Sequence, residues 1–218
     1  MTTTDRTSTW AIALTGAFIL ALCVADLAAT KVITIGSLVA PGGIFLFSVI
    51  FVVRDMLHKL LGAAYTRRVI WVGVSLNLVM AAYFWWLTKF DAPAFFTLAE
   101  PWDAIFALAP GIVLGSIVAA TASQLVNTAV YQWLWDREQG QAIRVIGSNA
   151  VSLPIDTVLF TTLAFFVLPP VFGAAGLPLD AVITRIASGQ IVWKAGIMLA
   201  MTPLIYLIPE NPVARDAT

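Results

Sequence analysis

Charge is scarce in this chain. Of its 218 residues, 11% are charged and 60% are hydrophobic, where soluble domains run to about 25% charged. The mean hydropathy is +0.92. Too little polar surface exists to face water on all sides, so the composition points to an integral membrane protein. Lys and Arg together number 12, as do Asp and Glu. With no net charge there is no basic face of the kind nucleic-acid binding needs. The one cysteine, Cys23, excludes an internal disulfide and a cysteine-based metal centre. The one histidine, His58, leaves too few ligands for a metal site. There is no P-loop, so no Walker site of its own to hydrolyse ATP. A soluble domain, a long linker and a clear internal repeat are missing too, although many secondary transporters are built on repeats. The apolar run after MTTTDRTSTW is too long for a signal-peptide core and lacks a cleavage site. It is expected to be retained as a first span.

What the chain does have is long apolar runs. A spanning helix needs about 20 mostly apolar residues. Six stretches qualify, at about 10–29, 43–61, 67–88, 105–134, 145–167 and 186–208. Pro110 places the true start of the fourth later than 105. The expected fold is one all-α, six-helix transmembrane domain over residues 1–218. One side then receives both termini and the loops near 54–68 and 135–144. That side holds Arg6, Arg54, Lys59, Arg67, Arg68, Arg137, Arg144 and Arg215, against Lys31, Lys89 and Arg185 on the other. The positive-inside rule puts both termini in the cytoplasm. The loop KFDAPAFFTLAEPWDAIF and the YFWW run at 83–86 carry aromatic rings suited to the outer interface.

Lys194 falls on neither side. It lies inside span six, and Asp156 lies inside span five. A charge at the bilayer centre costs roughly 2.5–3.5 kcal/mol on insertion scales, so its retention implies use. Asn149, Ser152 and Asp156 follow i, i+3, i+7, one face of a helix. Gln124, Asn127 and Tyr131 repeat that spacing on span four, and Gln190 and Lys194 are i, i+4 beside Trp193 on span six. Three polar stripes in one bundle most simply face a shared cavity. Ser, Thr, Asn and Gln also join membrane helices by hydrogen bonds of about 0.6 kcal/mol. For Ser148 and Thr161 that role is as good an account as a binding one.

Depth brings the two charges together. Asp156 lies roughly 16 Å from the inner end of its span and Lys194 roughly 12 Å from the outer end of its own. In a core about 30 Å thick, both fall near the middle, and the two are expected to interact, directly or through the substrate. Asp26, near the outer end of span one, and Asp55, in RDMLHK at the inner end of span two, are candidates for structural or gating roles. For Asp26 an interfacial position is the bland alternative. Ala17, Ala21, Ala25 and Ala29 recur every four residues, as do Gly111, Gly115 and Ala119. Such faces let helices approach closely, so span one could dock on another span or on another protein. No His-rich cluster, carboxylate pair or Ser/Lys dyad suggests an enzyme.

Four stretches together resemble the queuosine-precursor transporter family, also called vitamin-uptake-transporter-like (VUT). They are ADLAATKVITIGSLVAPGGIFLFSVIFVVRDMLHKLLG with the following TRRVI, QLVNTAVYQWL, SNAVSLPIDTVLF, and the single Lys194 of the last span. The chain departs from the family pattern at Asp26, more often Asn, and at Lys59, often Glu. The resemblance implies an inner-membrane importer of 7-deazaguanines: the 7-cyano or 7-aminomethyl base, or queuine. It implies a fold similar to the S-components of energy-coupling-factor vitamin transporters. Those dock on an ATPase module through small residues of the first helix, whereas members of this family work without it. A vitamin-binding subunit that needs the ATPase module is the alternative reading, and no cofactor is expected.

The chemistry suits such a substrate. A deazaguanine edge presents a ring N–H and an amino group beside a carbonyl, and one carboxylate can accept both donors. Asp156 is the candidate for that edge, with Asn149 and Gln124 for the remaining polar groups. Trp193 or Tyr131 would stack on the ring. Ser152, Asn127 and Gln190 complete the candidate polar lining, and Lys194 would hold Asp156 ionised. Asp156 or Asp26 could relay a proton; equally, the protein could be a facilitator whose substrate is trapped by incorporation into tRNA.

Overall fold

The computed structural model describes residues 3–201. Within that range the side chains of Asp55, His58, Lys59, Tyr131 and Arg144, among others, lie outside the described residues, as does the stretch 202–208 of the expected sixth span. The described chain is mostly helical. Helix α1 (Thr3–Ala28) is followed by strands β1 (Val32–Ile35) and β2 (Leu38–Pro41), then helices α2 (Ile44–Leu87), α3 (Ala99–Phe106), α4 (Ala109–Trp135) and α5 (Gln141–Thr162). A π-helical turn, Leu163–Val167, extends α5. A short helix α6 (Leu179–Ala181) and a second π-helical stretch, Val182–Ala187, run into α7 (Ser188–Met201). Among the described residues, four segments are long and apolar enough to cross a membrane: Ser8–Ala28, Ala64–Leu87, Ala99–Asn127 and Ile146–Val167. A shorter apolar helix covers Ile44–Arg54. Side chains such as Ile12, Leu20, Trp71 and Val79 are exposed on these helices, as an apolar solvent permits.

Helix α2 holds two of the expected spans. Its helical geometry breaks at Gly62, with φ 82° and ψ 171°, a conformation only glycine adopts without strain. The first half packs Gly43 on Ala25 of α1. The second half sets Gly73 against Phe18 and Leu22, and Asn77 against Asp26. The first half therefore runs antiparallel to α1 and the second parallel to it, so the chain reverses at Gly62. In place of the expected loop near 54–68, two helix ends meet at one glycine. Leu14, Phe18, Ala21, Ile50, Leu57 and Val69 form the core between them. The alanine row of α1 is spent inside the chain: Ala21, Ala25 and Ala29 are buried, and only Ala17 is exposed.

The glycine face of α4 packs against the end of α5. Gly111 lies on Leu168, and Gly115 on Leu163 and Ala164. A short turn at Ala107–Leu108 separates α3 from α4, and Pro110 takes the second position of α4, where its missing N–H costs no hydrogen bond. The loop that follows α2 is partly helical. In α3, Trp102 and Phe106 stack near Phe84, which lies 4.5 Å from Phe106 between ring centroids. Lys89 sits 4.7 Å above Trp85, whose indole N–H donates to the Phe172 carbonyl at 3.3 Å.

The all-helical expectation misses one element. β1 and β2 pair antiparallel through a two-residue Gly36–Ser37 turn, with Val32 opposite Pro41. The hairpin rests on α7, and a Cβ at Gly189 would collide with the Val39 carbonyl oxygen. Val32 and Val39 pack on Ala29, Ile112, Phe160 and Ile186, so the hairpin closes this end of the bundle. Gly189→Ala is expected to destabilise the protein by about 1–3 kcal/mol, the usual cost of overpacking. A thermal melt in detergent reads it, and an unchanged midpoint would mean that the hairpin yields freely.

Candidate functional site

Of the two expected ways for Asp156 and Lys194 to interact, the structure has the direct one. Lys194 Nζ lies 2.7 Å from Asp156 Oδ2, and both residues are buried. Three elements position it. Helix α5 presents Asp156 and α7 presents Lys194. Helix α4 adds Ser123, whose hydroxyl donates to Asp156 Oδ1 at 3.3 Å. The ammonium also reaches the Thr157 hydroxyl at 3.5 Å and lies 5.5 Å and 5.9 Å from the ring centroids of Phe47 and Phe160. Aromatic faces attract a cation and offer no competing hydrogen bond, so the Asp156 carboxylate is the main anchor of Lys194.

One turn and two turns below Asp156 the stripe continues. Asn127 of α4 donates its amide to Asn149 Oδ1 at 2.9 Å and to Ser152 Oγ at 3.0 Å. Asn149, Ser152, Asp156 and Lys194 line one small cavity with Ser123, Leu153 and Met198. Its volume is about 30 Å³, whereas pockets for organic ligands run to about 300–1,000 Å³. As it stands the cavity is too small for an organic ligand. A second cavity, of about 310 Å³, opens between the hairpin and α7, lined by Ser37, Leu38, Val39, Thr184, Arg185 and Ser188. It has no acidic group to meet a donor edge.

The other sequence candidates take different places. Gln124 is exposed on α4, away from the cavity wall. Gln190 is buried one turn before Lys194, with its Oε1 unpartnered among the described residues. Trp193 turns edge-on to Phe45, at 6.3 Å between centroids, and does not line the cavity. The side chains of Tyr131 and Asp55 lie outside the described residues. Asp26 is buried within the bundle. It is 1% exposed and accepts the Asn77 amide at 2.5 Å. Ser123 escaped the sequence reading. Gly111, Gly115, Ala119 and Ser123 continue at i+4, so the packed face of α4 already pointed to it.

Residues 41–208 match the family described as "Putative vitamin uptake transporter". With its apolar helices, the match makes the chain a membrane transporter and not an enzyme. It covers most of the sequence, and the chain belongs to this family. A Bacillus subtilis (strain 168) protein named "Probable queuosine precursor transporter" is 28% identical over 149 residues, which are 67% of this chain and 65% of that protein. The chain thus spans a little under two thirds of that relative's length. No solved structure matches it.

Proposed function

We propose that the protein imports a queuosine precursor across the inner membrane: 7-cyano- or 7-aminomethyl-7-deazaguanine, or queuine. The observation that carries this reading is the buried Asp156–Lys194 pair on the wall of a polar cavity. The name of the Bacillus subtilis relative supports the substrate class. In this reading the chain is one six-helix domain resembling an S-component. The first half of α2 is the second span, α7 leads the sixth, and both termini are cytoplasmic.

Asp156 reads the base. Its two oxygens accept the ring N–H and the amino group, and Asn149 and Ser152 meet the remaining polar atoms. Lys194 keeps the carboxylate charged and ordered before the base arrives. The small cavity means that binding needs α4, α5 and α7 to part. A buried carboxylate suits this recognition because its acceptors strengthen in a low dielectric and are costly when unpaired.

Thermal shift of the purified protein with the deazaguanine bases, queuine, guanine and a few vitamins tests the reading. One deazaguanine is expected to raise the melting temperature, and Asp156→Asn to abolish the shift. Full uptake and affinity in Asp156→Asn would sink the assignment. A shift with a vitamin alone would overturn the substrate class.

A further inference from the structure

Asp26 is a second carboxyl buried in the bundle, and base recognition at Asp156 leaves it unused. Asn77 of α2 donates Nδ2–H to its Oδ2, and Ser116 of α4 faces the same group. Its other oxygen, Oδ1, has no hydrogen-bond donor among the described residues, nor has Oδ1 of Asn77. Two buried acceptors thus sit on one amide–carboxyl pair without a proton between them.

No described cation forms an ion pair with Asp26. The buried ammonium of the bundle, Lys194, is bonded to Asp156. Lys194 and, on α1, Cys23 are the described titratable side chains near Asp26. Helices α2 and α4 present neutral Asn77 and Ser116. An ionised Asp26 would be a buried charge lacking a bonded partner, which is costly. A hard metal cation takes about six or more oxygens, and these three side chains supply too few. Among the described residues there is also no cluster of metal-ligating side chains. One proton corrects both faults. The acid O–H at Oδ1 becomes a donor, and the unpartnered Oδ1 of the bonded Asn77 amide is an acceptor of the kind it needs.

We propose that Asp26 is a proton-binding site, linked to the base site at Asp156 through their shared neighbour Lys194. The linkage rests on the transporter reading; the proton site does not. While Asp156 holds Lys194, the two charges cancel and Asp26 keeps its proton. When a base occupies Asp156, Lys194 is loosened and its charge draws Asp26 toward the carboxylate. The O–H bond of Asp26 breaks, and water takes the proton. Release of the base restores the Asp156–Lys194 pair, and Asp26 takes a proton back. Linkage is reciprocal, so base affinity rises with pH as Asp26 empties.

Infrared spectroscopy of the ligand-free protein in lipid nanodiscs tests the proton site. Exposed carboxyls are ionised at neutral pH, so a carboxylic-acid C=O band there reports a buried acid. The band is expected in the wild type and is lost in Asp26→Asn. No band in the wild type, or an unchanged band in Asp26→Asn, overturns the proposal. Should Asp26→Asn fail to fold, Asn77→Leu serves instead: removal of the amide shifts the band, and an unmoved band overturns the assignment. Calorimetry with 7-aminomethyl-7-deazaguanine in buffers of different ionisation heat then counts protons. Release of up to one proton per base by the wild type, and none by Asp26→Asn, supports the linkage. Equal release by both overturns it. If no base binds the wild type, the transport reading fails and the infrared result still decides Asp26.

Discussion

Replacing Lys194 with methionine is expected to cost about 3–5 kcal/mol of stability, the usual penalty for removing one partner of a buried pair. The size follows from what is left behind. Asp156 would keep one weak contact, the Ser123 hydroxyl at 3.3 Å, and lose the ammonium at 2.7 Å. Shape is not the cause, because methionine fills nearly the same volume and its sulfur packs well on Phe47 and Phe160. The matching variant Asp156→Asn/Lys194→Met removes both charges and should recover most of the loss, to within about 1 kcal/mol of wild type, since a buried pair and its neutral replacement are often near equal. Yet the double variant should take up no deazaguanine. A four-way comparison of thermal stability in detergent isolates the coupling between the two residues. A Lys194→Met protein as stable as wild type, or a double variant no better than the single one, would show that the pair is not a mutual requirement.

The pair was legible because the cost of a buried charge is a property of residue type and depth, and both can be read from a string of letters. The face carrying Asn149, Ser152 and Asp156 was legible for a similar reason, since helical spacing survives whatever surrounds the helix. Rotation of a helix about its axis is less visible. On α4 two polar stripes share Asn127, one through Gln124 and one through Ser123. Gln124, on the first, is exposed, whereas Ser123, on the second, reaches Asp156. The glycine and alanine face that binds α5 fixes the rotation and brings Ser123 inward. The hairpin was hidden differently. VITI and LVAP around Gly36–Ser37 carry the β-branched residues and two-residue turn of a hairpin, yet between two membrane spans they read as a loop. Its presence also explains Asp26. Distance from the end of α1 left an interfacial place open for it, whereas the fold buries its side chain, with the hairpin packed over Ala29 nearby.

The 2-amino group of the base offers the sharpest test of what Asp156 does. A deazaguanine analogue without that group keeps the ring N–H and loses the second donor. If Asp156 accepts both, one buried carboxylate oxygen is left unpaired, and hydrogen bonds to charged groups are worth about 1.5–3 kcal/mol. Affinity should then fall roughly 10- to 150-fold. The same pair of ligands on Asp156→Asn gives the control. A neutral amide presents one acceptor and one donor to that edge and cannot accept both hydrogens. Both ligands should bind weakly there, and their ratio should shrink to within a few-fold. A general loss of folding or of cavity shape would weaken both ligands while leaving the wild-type ratio intact. The shrinking ratio therefore separates recognition by Asp156 from support of the bundle by Asp156. Equal affinity of the two bases for the wild-type protein would place the amino group elsewhere and leave the carboxylate with only its tie to Lys194.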